Sequence, residues 1–176
     1  KLGMKSLVLM SFILCLSAIG NAQTIDSELF KTDIVALYDA GMKSFKNNKE
    51  GEFIKEVDGV KSYNSNLSLN GAKELVIKED AEGNYKCVAQ YTMKNIRDAK
   101  AKVEEIAVLI SQATADFGLE KASTTDVKYL GYTKHTIEFP ADNIDDMGKH
   151  TSFSVGLIDD GNPISFEIVV TEILWK

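Results

Sequence analysis

The residues with which this chain could do chemistry are two histidines, two cysteines and two groups of aspartates. His135 and His150 fall in different predicted elements, and a zinc centre on either would need further ligands from Asp, Glu or Cys87 gathered by the fold. No HExxH, CxxC, G-x-S-x-G or P-loop spacing occurs, so nothing fixes a metal, a nucleophile elbow or a phosphate cradle. No metal and no cofactor is expected. Asp142, Asp145 and Asp146, with Asp159 and Asp160 further on, lack the order of a calcium-binding EF-hand loop. They sit beside glycine or ahead of a helical turn, where aspartates cap and turn the backbone. Loop carboxylates together with His135 leave one catalytic alternative, a carboxylate-based hydrolase of glycans or peptides. Its chemistry would depend on a separation in space that separation along the chain does not give.

Cys15 lies in LCLSAIGNAQT, and the residues around it concern export more than reactivity. Lys5 follows Met4, Leu7 to Leu16 is apolar except for Ser11, and a bilayer span needs about 20 apolar residues. Gly20 and Ala22 stand three residues and one residue before a cut at Ala22/Gln23, the small-residue geometry of a signal-peptidase site. A lipid anchor on Cys15 would want a small residue before it, where Leu14 stands. An uncleaved core helix would want a polar face, yet no charge occurs from Ser6 to Thr24. The expected organisation is a cleaved leader over 1–22 and a single domain over 23–176, secreted or periplasmic, with no membrane attachment after cleavage.

Removing that leader takes away Lys1 and Lys5 and no acid. It leaves 154 of the 176 residues, with 18 basic against 26 acidic side chains and a net of −8. An acidic surface of this kind repels phosphate backbones, so nucleic acid is not an expected partner. Cys87 becomes the lone thiol, and the core must hold without a disulfide. In YKCVAQYTM, Tyr85, Cys87, Ala89, Tyr91 and Met93 alternate with Lys86, Val88, Gln90 and Thr92. This places Cys87 on the inward face of a strand as a small hydrophobe.

The positioning elements follow from periodicity. Phe30, Ile34, Leu37, Gly41 and Phe45 predict a helix over 25–48 with Asp26 or Ser27 as N-cap. Residues 52–70 read as polar and irregular. Residues 73–80 and 85–93 predict an antiparallel hairpin. Ala99, Val103, Ile106, Ile110, Ala113 and Phe117 predict a second helix, capped by Asp98 and stopped by Gly118. Residues 127–139 read as one strand bent at Gly131. A polar connection follows with a helical turn capped by Asp142, then strands over 152–157 and 164–175. The sum is an α+β fold of order α-β-β-α-β-β-β, a largely antiparallel five-stranded sheet with two helices.

The last strand is apolar on both sides. Ile164, Phe166, Ile168, Val170 and Leu174 form one face and Val169, Ile173 and Trp175 the other, and strands of this kind are usually covered twice. Burying such side chains is worth about 1.5–3 kcal/mol each, so the first helix, or a partner subunit, is expected over Val169, Ile173 and Trp175. Where that face adjoins Leu130 and Tyr132, the four residues Leu130, Tyr132, Ile173 and Trp175 form a candidate binding patch rich in contact-prone aromatics, with Tyr63 and Asn64 at its edge. The reading is a non-catalytic binding or accessory domain of the bacterial cell envelope, taking a small molecule, a glycan or a protein. A homodimeric structural protein joined around Trp175 is the remaining alternative.

Overall fold

The computed structural model describes residues 24–174 apart from 94, 120, 122, 130–131, 141–148 and 160–163. Of residues 127–129, 132–133, 149–150, 158–159, 164–165 and 173–174 it describes the backbone alone. The expected leader with its Ala22/Gln23 cut, the helical turn at Asp142, and both Leu130 and Trp175 lie outside the described residues.

The chain runs through helix α1 (Ser27–Met42), strands β1 (Lys49–Val57), β2 (Val60–Ser65), β3 (Glu74–Glu79) and β4 (Tyr85–Met93), helix α2 (Ile96–Ala113), and strands β5 (Ser123–Tyr129), β6 (Tyr132–Phe139), β7 (Lys149–Asp159) and β8 (Ile164–Leu174). The class is α+β with two helices and an antiparallel sheet, as expected, but the sheet has eight strands, not five. Its order is β1-β2-β3-β4-β8-β7-β6-β5. Each helix is followed by a four-strand meander, and the two meanders join through their last strands, with Cys87 opposite Val170 and Ala89 opposite Ile168.

Two regions account for the extra strands. Residues 49–65 form a hairpin whose first strand is exposed along almost its whole length, so no inside–outside alternation marks it. Asp58 and Gly59 turn it with φ of 52° and 78°, the paired positive values of a tight hairpin turn. The single expected strand over 127–139 is two, β5 and β6, with Tyr129 directly opposite Tyr132; Gly131, where a bend was expected, lies outside the described residues.

The helices begin and end for local reasons. Asp26 caps α1 by accepting the N–H groups of Glu28 and Leu29, both at 3.0 Å. The cap of α2 is Asn95 rather than Asp98: Asn95 Oδ1 accepts the Asp98 N–H at 2.9 Å, and its amide donates to the Asp98 carboxylate at 2.7 Å. α1 stops at Met42, short of the expected Asn48, because Ser44 and Phe45 adopt left-handed backbone with φ of 60° and 48°. That turn folds Phe45 back into the core, so the expected apolar stripe survives the end of the helix; Phe30, Ile34, Leu37 and Phe45 are all fully buried.

Both helices lie on the same face of the sheet and touch one another there. Ala99, Val103, Ile106 and Ile110 of α2 close over Ile137, Phe139, Phe153, Val155, Phe166 and Ile168. Tyr38 stacks on Phe117 at 4.2 Å, joining α1 to the turn after α2, and Tyr91 stacks on Phe166 at 4.5 Å across the central ladder. Cys87 belongs to this core with no exposed surface, and burial pushes its thiol up to about 12. Val169, which the first helix was expected to cover, points the other way. It is half-buried on the face opposite both helices, because α1 and α2 share one side of the sheet.

Candidate functional site

The face without helices is built from the complementary parity of the strands. Across the central ladders Val76 stands opposite Val88, and Val88 opposite Val169. These valines make an apolar row in which Val76 and Val88 are only 6% and 2% exposed. Around it the side chains are small or polar: Ser152, Ser154 and Gly156 on β7, Glu167 and Thr171 on β8, and Lys86 and Gln90 on β4. Over this surface lies an open trough of about 470 Å³, reaching from Val60 and Lys78 past Lys86, Val169 and Thr171 to Ser154 and Lys134.

The charges of the trough are unequal in their partners. Asp80, at the β3–β4 turn, accepts the backbone N–H groups of Glu82 and Asn84 at 3.0 and 2.8 Å and the Asn84 side-chain amide at 2.9 Å. Burial works to raise its carboxyl, but these hydrogen bonds outweigh it and hold the group below its usual value. Glu167 receives the Gln90 side-chain amide at 3.1 Å. Lys78, Lys86 and Lys134 form no ion pair among the described residues. Lys134 reaches the trough from β6 with its stem over Gly156, where Cε lies 3.8 Å from the position a β-carbon would take.

Three other polar clusters were tested as chemistry. On the helix-bearing side of the first meander, Lys49 Nζ lies 4.4 Å from the ring centre of Tyr63 and 4.8 Å from that of Tyr85, and pairs with Glu79 at 3.1 Å. Tyr85 donates to the same carboxylate at 2.9 Å. Burial would raise Glu79, yet hydrogen bonds from Tyr63, Lys49 and Tyr85 together hold it below the usual carboxylate range. Burial likewise lowers Lys49, and its bonds to Glu79 and Tyr85 more than restore it. The lysine therefore fills an aromatic cage of the chain's own making.

His135 is held between two carboxylates. One ring nitrogen, Nδ1, is 2.6 Å from Asp126 on the neighbouring strand, and Nε2 is 3.5 Å from Glu104 of α2. A general base would aim that second nitrogen at a nucleophile or water; here it faces an acid and ties α2 to the β5–β6 hairpin. Glu172, 4% exposed beneath the end of α1, accepts a hydrogen bond from the equally buried Ser44. Both are closed off from solvent.

Of the residues expected from sequence, Tyr132 stands opposite Tyr129, and Ile173 opposite His150 on β7. Their side chains, with Leu130 and Trp175, lie outside the described residues. Tyr63 is part of the cage around Lys49, and Asn64 stands opposite Val76. The three lysines of the trough were missed. Their signal is the polar parity of β3, β4 and β6. Neither a family model nor a curated protein matches this chain.

Proposed function

We propose that the protein is a non-catalytic binding or accessory domain of the bacterial cell envelope, exported through its leader, and that it works through the helix-free face of the sheet. The observation that carries this reading is the trough itself. Six adjacent strands present a concave surface of a size usual for small-ligand sites, about 300–1,000 Å³, with Val169 in its floor, hydroxyl-bearing walls and lysines that form no ion pair among the described residues. The polar clusters that could have served catalysis are occupied: both nitrogens of His135 face carboxylates, Glu172 and Ser44 are sealed, and Glu79 is engaged by Lys49 and Tyr85. The loop carboxylates Asp142, Asp145, Asp146 and Asp160 and the Asp159 side chain lie outside the described residues.

Val169→Trp fills the trough from its floor without touching the helix-bearing core. The chain is expressed with its leader, recovered from the periplasm and weighed intact under native conditions. The expected product begins at Gln23 and carries a small-molecule adduct that the Val169→Trp protein lacks while keeping its circular dichroism. An adduct that survives the substitution would overturn the assignment to this face, and retention of the leader would overturn the proposed export.

A further inference from the structure

Lys78 and Lys86 are direct cross-strand partners in the β3–β4 ladder. Like charges placed opposite one another destabilise a sheet, and neither lysine is relieved by an ion pair among the described residues. The acids beside them, Asp80 and Glu167, hydrogen-bond only neutral groups, Asp80 its own turn and Glu167 the Gln90 amide, and keep their charge, so the lining sets three lysines against two carboxylates. Lys134, which forms no ion pair among the described residues, adds a third ammonium from the opposite side of the trough. Between the two positive ends the floor is Val169, with the hydroxyls of Ser154 and Thr171 alongside.

From this arrangement, and resting on the helix-free face being the binding surface, we infer that the trough takes a small organic dianion. One acid group is held between Lys78 and Lys86, the other is met by Lys134, and an apolar spacer lies over Val169. Lysine suits either carboxylate or phosphate as a compact charge that does not demand a planar, two-pronged partner. The chain's single arginine, Arg97, is in α2 on the other side of the sheet. Size is limited by charge. The whole chain carries −6, a net charge that opposes a long polyanion, whereas a small dianion stays among the lysines.

The test is a residue-resolved nuclear magnetic resonance titration of the full chain at low salt with sodium suberate, sodium octanoate and 1,8-octanediol, which share a chain length and differ in charge. Suberate is expected to shift the backbone amides of Lys86, Ser154 and Val169 saturably, octanoate to bind about 5- to 10-fold more weakly, and the diol not at all. Lys86→Gln and Lys134→Gln should each weaken suberate by a similar factor and bring it level with octanoate, without lowering the melting temperature. Equal binding of the three compounds, indifferent to both substitutions, overturns the dianion while leaving the face as a binding surface. Silence of those amides towards suberate overturns it as well, and the native-mass experiment on Val169→Trp then decides the face separately.

Discussion

Gly41→Ala is a demanding test of how closely α1 sits on the sheet. A β-carbon at Gly41 would lie 2.7 Å from both Cγ2 and Oγ1 of Thr151 and 3.3 Å from Phe45 Cζ. Carbon contacts are comfortable at about 3.5–4.0 Å, so the overlap is close to 1 Å on two atoms at once. Thr151 is fully buried, and a β-branched side chain has little freedom to turn away. Overpacking of this kind costs about 1–3 kcal/mol, here towards the upper end. Replacing glycine by alanine inside a helix returns at most about 1 kcal/mol, and less so near the last turn. The net expectation is a loss of about 2 kcal/mol, or a fall in melting temperature of about 4–8 °C for a chain of this size.

The assay is urea unfolding followed by circular dichroism, with the slope unchanged and the midpoint lowered. Thr151→Ala removes both clashing atoms, together with a buried hydroxyl that has no hydrogen-bond partner among the described residues. Alone it should change stability by less than about 1 kcal/mol, since lost packing and relieved desolvation oppose each other. In the double variant the new methyl occupies the vacated space, and the cycle should return a coupling of about 2 kcal/mol. If Gly41→Ala is stabilising, as helix propensity alone requires, or if the two substitutions are additive, the close approach of α1 to β7 is refuted.

The cage around Lys49 gives a pH-dependent prediction. Glu79 titrates below its unfolded value, so its contribution is complete above the ordinary carboxyl pKa of about 4.3 and disappears as pH falls through the lower folded value. Glu79→Gln should therefore cost about 1 kcal/mol at neutral pH, with the difference from wild type shrinking steadily below about pH 4; a gap that persists at pH 2 would contradict the charged pair. For Cys87, a thiol raised to about 12 and fully buried should resist a disulfide reagent in the native state. It should react at pH 8 only as fast as the protein unfolds, and a fast native reaction would show that β4 is not shielded.

How far the sequence revealed this fold depended on whether an element buries one regular face. α1, α2, β3, β4 and β8 do so, and their stripes were legible down to Phe45, which stays in register although the helix has already ended. β1 buries almost nothing, so no period marked it, and only the Asp58–Gly59 turn could have announced a hairpin. β5 and β6 were merged because Gly131 suits a bend and a two-residue connection equally well. The site was harder to find. The conspicuous candidates in the sequence are large apolar residues, Ile173 and Trp175, at the end of the last strand. The trough is made by lysines and small hydroxyl residues whose parity alone looks like ordinary solvent-facing surface; only the ladder register shows that Lys78 and Lys86 confront each other.

The junction between β4 and β8 has a consequence for biogenesis. Within each meander every strand pairs with a neighbour in the sequence, so each half closes over short loops, but the strand that completes β4 is the last of the eight. Until β8 arrives, the first half holds the hydrogen-bonding edge of Cys87, Ala89 and Tyr91 uncapped. During that interval a second nascent copy offers the same complementary strand, and exchange of β8 between chains would satisfy the ladder equally well.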